Sequence, residues 1–115
     1  MKLIMHILNK NEKLKIDNKS LDLQKISNKL LEECMEVMVA IDQYTDNKTL
    51  KNLKEIIRET FDVIQVCILI LWRSHIKACT LDQENLLQEI NIEHKDKLIG
   101  RAWEPFTGIE IDIKE

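Results

Sequence analysis

Two acidic clusters, Glu32-Glu33-x-x-Glu36 and Glu59-x-x-Asp62, fall in successive stretches of helical periodicity joined by a short polar turn. Few arrangements constrain a fold as strongly. Folding back as a hairpin gathers five carboxylates beside an apolar seam, and like charges repel. A fold that accepts this needs a cation to offset the repulsion. A hard ion bound through oxygen suits it, Mg²⁺ first and Mn²⁺ as the alternative.

The elements follow from period and caps. The spacing of Leu23, Ile26, Leu30, Cys34, Val37 and Ile41 predicts a helix over about 21–44, with Ser20 as its cap. Tyr44 to Lys48 reads as the turn, with Asn47 a candidate cap. A second helix is expected over about 49–78, its main seam formed by Leu53, Ile56, Ile57, Thr60, Ile64, Cys67 and Leu71. A third, over about 82–99, is seeded by Leu86, Leu87 and Ile90, and Gly100 can end it. Lys10 to Lys19 reads as a loop, and residues 1–19 as a whole are ambiguous. The tail from Glu104 alternates as Ile109, Ile111 and Ile113, which fits a short strand or an extended arm.

With two Gly and one Pro, a many-stranded sheet lacks its turn residues. The expected class is all-α: an antiparallel helical hairpin plus a further helix, of four-helix-bundle type, assembled by oligomerisation. The 115 residues suit a single domain, with a core at about 21–101 and a tail at 102–115. A net charge of −3 disfavours generic nucleic-acid binding. The apolar run from Val63 to Trp72 is about half of a bilayer span, so no membrane role is expected. Cys34, Cys67 and Cys79 form no C-x-x-C pair, and reduced core thiols in a cytoplasmic protein are the simple reading.

Residues three apart share a helix face, so Glu33 and Glu36 can address one point, as can Glu59 and Asp62. Glu33 borders the apolar stripe beside Ile26 and Val37 and should be half-buried. Glu32 points further out and could serve a second metal, orient a water, or remain solvated. The plain alternative is a charged helix surface, since 20 of the 115 residues are acidic. Against it, neither cluster has a Lys or Arg at i+4, Arg58 and Lys54 being solvated neighbours.

This pattern, E-E-x-x-E, a gap of 22 residues and then E-x-x-D on the next helix, resembles the MazG-like all-α nucleoside triphosphate pyrophosphatases. The likeness covers about residues 23–101. It includes Lys97-Leu98-Ile99-Gly100-Arg101, similar to a downstream Lys-Phe-x-Arg-Arg segment of that family. Gly100 and Lys95 depart from the family, which often has Arg and Asn there. The resemblance implies Mg²⁺ held by Glu33, Glu36, Glu59 and Asp62; Glu32 is counted beside them as a catalytic candidate. It also implies attack at the α-phosphate of a nucleoside triphosphate, giving a monophosphate and pyrophosphate, with a role in nucleotide-pool house-cleaning. Lys97 and Arg101 would then bind the outgoing pyrophosphate. Two other readings stay open: a non-catalytic helical interaction module, and a related enzyme acting on phosphoribosyl-ATP.

Glu55, Glu59 and Asp62 share a stripe of the second helix that continues as Val66, Leu69 and Ile70. The C-terminal half of that helix is therefore apolar nearly all round, which marks a buried helix. A homodimer or homotetramer would supply the cover; residues 1–8 or the tail are the intramolecular alternative. Trp72, Met35 and Met38 read as core or interface. Trp103 and Phe106 are expected to pack the tail onto the bundle. His6, His75 and His94 show no ligand-like spacing, and no Gly-rich phosphate cradle exists, which excludes a P-loop.

Overall fold

The computed structural model describes residues 1–114. It is mostly helical: a small hairpin, β1 (Lys10–Asn11) and β2 (Ile16–Asp17), precedes α1 (Leu23–Asp46), α2 (Leu50–Cys79) and α3 (Leu86–Gly100). The hairpin corrects the loop expected between Lys10 and Lys19. Its strands are antiparallel, with Lys10 opposite Asp17 and Asn11 opposite Ile16. Lys15 takes the left-handed backbone (φ 55°) that lets the chain reverse.

α1 starts two residues later than its first cap candidate implies. Asp22, not Ser20, is the N-cap, its carboxylate accepting the Gln24 amide at 3.0 Å. The turn is three residues, Asn47 to Thr49. Thr49, not Asn47, caps α2 by accepting the Asn52 amide at 3.2 Å. Asn47 instead closes α1, and its carbonyl accepts from the Asn52 side chain at 2.8 Å. So short a connection forces α1 and α2 to lie antiparallel in contact along their lengths.

The faces of α2 are used the opposite way from the sequence expectation. Val66, Leu69 and Ile70 are half-buried within the chain, whereas Leu53, Ile57, Thr60, Ile64, Cys67 and Leu71 of the expected main seam are exposed and only its Ile56 is half-buried. The stripe that carries Glu55 and Glu59 is the one turned inward, and the apolar residues following it go with it. The segment before β1 helps to cover this half of α2. Gln65 donates to the His6 carbonyl at 2.6 Å, and Met5 and Ile7 are half-buried while His6 and Leu8 between and beyond them are exposed. Arg73 fixes the entry to α1 by donating to the carbonyls of Asn18 and Leu21, both at 2.8 Å.

α3 packs on α2 and not on α1. At the far end of α2, Leu71, His75 and Ala78 line a cleft together with Leu86, Leu87 and Ile90 of α3. Gly100 is its last residue rather than its terminator. The helix closes two residues on, at Ala102 (φ 65°), where Ala102 donates to Ile99 (3.0 Å) and Trp103 to Leu98 (3.1 Å), a Schellman arrangement. The described tail beyond it has no regular secondary structure and no strand pairing. Trp103 and Phe106 are exposed, the latter fully, so they do not pack the tail onto the bundle. Glu115 lies outside the described residues.

The apolar residues buried outright are Ile26, Ala40 and Ala78. Met35 and Met38 are exposed, Trp72 is half-buried, and Cys67 is exposed rather than a core thiol. The accessible surface is 10168 Å², against about 6,600 Å² for a compact monomer of this mass. The radius of gyration is 16.8 Å, against about 13 Å for a compact chain of this length. Among the described residues no helix is long and apolar enough to cross a membrane.

Candidate metal centre

The hairpin turns Glu33 of α1 toward Glu59 and Asp62 of α2. One carboxylate oxygen from each lies within 4.8 Å of the others. Glu33 is 6% exposed, Glu59 is half-buried and Asp62 is exposed, so the group runs from the helix interface to solvent. This is the consequence of two i,i+3 pairs meeting across a seam.

Glu36 joins the group from the solvent side. Its carboxyl is held above the usual range first by a hydrogen bond with Glu59. The charge of Glu33, burial, and a hydrogen bond with Glu33 act in the same direction. Two carboxyls close enough to share a proton repel once both are ionised. Glu36 and Glu59 also line an open cleft with Met35, Val39, Gln43 and Glu55. Glu55 borders this cleft but is paired with Arg58 on its own helix.

Glu32 is not part of the cluster. It lies on the outer surface, 3.6 Å from Lys29. Lys29 is the basic partner that the acidic pattern has at i−4 rather than at i+4. Its ammonium sits 2.8 Å from one oxygen of Glu33, and that bond raises the lysine above its ordinary value. The spacing Lys29-x-x-x-Glu33 was visible in the sequence.

Even so, Lys29 satisfies only part of the site. Glu33 Oε2 and Glu59 Oε2 are buried and have no hydrogen-bond partner. A buried carboxylate oxygen with no donor is costly, and native folds rarely keep one without a ligand. The donor set is all oxygen and offers no soft ligand, which fits Mg²⁺ or Mn²⁺ rather than Zn²⁺. The residues present therefore fit a hard divalent ion.

Lys97 and Arg101 are brought to no such place. Both are exposed at the end of α3, and among the described residues neither forms an ion pair with the carboxylates. In comparisons with protein-family models, curated proteins and solved structures, nothing matches this chain.

Proposed function

We propose that the protein is a MazG-like, Mg²⁺-dependent pyrophosphohydrolase that cleaves nucleoside triphosphates to monophosphate and pyrophosphate. One observation carries the reading. Glu33, Glu59 and Asp62 converge within 4.8 Å, and two of the buried oxygens there lack any donor.

A nucleoside triphosphate carries about four negative charges at neutral pH, and the cluster is itself acidic, so the two meet only through divalent metal. Such an ion would withdraw charge from the phosphates and make a water more acidic. Glu33 and Glu59 would hold it from the helix interface, with Asp62 and Glu36 reaching it from the solvent side. The cleft beside Glu36 and Glu59 gives the substrate a place next to the carboxylates. Lys97 and Arg101 enter this reading as phosphate-binding groups brought to the cleft by assembly. The excess accessible surface supports a homodimer or homotetramer.

A second reading, a non-catalytic helical interaction module, is favoured by the exposed apolar faces of α1 and α2. The test is a panel of nucleoside triphosphates with Mg²⁺ and then with EDTA, in ¹⁸O-labelled water, followed by ³¹P NMR. The expected products are the monophosphate and pyrophosphate, formed only with the metal and with ¹⁸O on one of them. Orthophosphate and a diphosphate would mean attack at the γ-phosphate. No turnover, together with no thermal response to Mg²⁺, would leave the interaction module.

A further inference from the structure

The hairpin before α1 stands off the bundle. Neither β1 nor β2 packs on a helix, and so short a hairpin is marginal in water by itself. Its tip is nevertheless built. The Asn11 side chain accepts the Leu14 amide at 3.0 Å, and the Glu12 carbonyl accepts the Lys15 amide at 3.3 Å. Below the tip, Asn18 donates from its backbone amide to the Asn9 carbonyl at 2.8 Å and from its side chain to the Leu8 carbonyl at 3.0 Å. The turn so held presents Leu14, 63% exposed, between the exposed Lys13 and Lys15. In the segment leading to it Met5 and Ile7 are half-buried, which leaves Ile4 and Leu8 72% and 51% exposed.

Charge is as unevenly placed as apolar surface. Residues 1–21 carry Lys2, Lys10, Lys13, Lys15 and Lys19 against Glu12 and Asp17 only, in a chain of net charge −3. Both acids are engaged locally, Glu12 by the Lys10 ammonium at 3.0 Å and Asp17 by the Lys19 backbone amide at 2.9 Å. Among the described residues Lys13, Lys15 and Lys19 form no ion pair.

We propose that this segment docks the protein on an anionic lipid membrane, with Leu14 entering the interface and the flanking lysines meeting the headgroups. The two features fit that occupant together. Lysine is a point charge that meets a diffuse negative surface without a demanding geometry, and its stem lies along apolar material. Exposed aliphatic side chains gain by entering the boundary between headgroups and acyl chains. Charge and one apolar insertion are each weak alone and together give reversible binding, for which no spanning helix is needed. Nucleic acid would use the lysines but leave Ile4, Leu8 and Leu14 in water. Residues 1–21 also hold no Arg, Trp, Tyr or Phe to stack on a base. A second copy on this surface would set lysine against lysine.

Co-sedimentation of the full chain with vesicles tests the docking. Metal and nucleotide are left out, so its failure and that of the hydrolase reading are separate. Vesicles of phosphatidylcholine mixed with phosphatidylglycerol are expected to bind the chain, and vesicles of phosphatidylcholine alone are not. Lys13→Gln with Lys15→Asn is expected to weaken binding about thirtyfold. Asparagine suits the left-handed backbone at position 15, so the turn is kept. Leu14→Ala is expected to weaken binding about tenfold without changing its salt dependence. Lys48→Gln with Lys51→Gln removes the same charge near the turn between α1 and α2, and is expected to change binding by less than about twofold. Circular dichroism is expected to show the same helicity in every variant. No binding to the anionic vesicles overturns the proposal, as does equal binding to both kinds of vesicle. So does a Leu14→Ala chain that binds as wild type does, an equal loss in the Lys48 and Lys51 variant, or tighter binding to a single-stranded oligonucleotide than to the anionic vesicles.

Discussion

The Lys29 ammonium binds one oxygen of Glu33, at 2.8 Å, while the other oxygen of the same carboxylate is buried with no donor. One side chain thus faces a cation within its helix on one side and two further carboxylates on the other. Lys29→Met should therefore lower the stability of the metal-free protein by about 1–2 kcal/mol, because it leaves a buried carboxylate without a partner. It should also enlarge the thermal stabilisation by millimolar Mg²⁺, since the ion then faces one fewer competing positive charge. Melting curves with EDTA and with Mg²⁺ measure both effects.

Glu36 provides a pH test. Its folded pKa is raised above the ordinary 4.5, chiefly by the hydrogen bond with Glu59. The folded chain therefore holds the Glu36 proton more tightly than the unfolded chain does. Its contribution favours folding while the group is protonated in both states. That contribution is lost as pH rises from about 4.5 through the raised folded value, and is constant above it. Denaturant titrations in EDTA across this range, on wild type and Glu36→Gln, isolate the effect. The difference between the two should change only within that window, with wild type losing stability as pH rises.

On the proposed hydrolase reading, removing one carboxylate should disable the centre as a whole. Glu36→Gln and Glu59→Gln each keep size and remove charge, and each should lower turnover by about a hundredfold or more. Glu59→Gln should also cancel most of the Mg²⁺-dependent rise in melting temperature while leaving the metal-free protein as stable or slightly more so. On the proposed reading Lys97 and Arg101 meet phosphate charge outside the cluster, so Lys97→Ala and Arg101→Ala should each cost about tenfold and leave the thermal response to Mg²⁺ unchanged. Steady-state kinetics beside melting curves separate the two classes.

The end of α3 offers a test independent of the site. Ala102 occupies the left-handed position of the closing turn, where a side chain is strained and glycine is not. Ala102→Gly should stabilise the protein by about 1 kcal/mol, read from urea unfolding. No change would mean that α3 is frayed at this end in solution.

How much of this was legible before folding depends on the reach of each signal. α1 and α2 were readable because apolar residues at helical spacing mark a helix from its own sequence. Thr49 and Asn52 make the turn with groups only three residues apart. The pairing of Glu33 with Glu59 was readable too, because a short turn between two long helices leaves few registers. Errors at α1 and α3 were of local rank: Asp22 won over Ser20 as cap, and Ala102 closed the helix that Gly100 was expected to end.

The choice between the two faces of α2 was different in kind. Leu53, Ile57, Ile64 and Leu71 make as good a seam as Val66, Leu69 and Ile70, so periodicity alone cannot rank them. The small hairpin and the placement of Met5 and Ile7 beside Gln65 join residues some sixty positions apart, as the bond from Gln65 to the His6 carbonyl shows. By itself the sequence determined two long helices, a tight turn and a set of acids able to converge, because those depend on contacts within a few residues. Only the tertiary structure decided which apolar face turns inward, where Lys29 places its charge, and which faces stay open. Those outcomes rest on comparing burial free energies of similar size across distant segments.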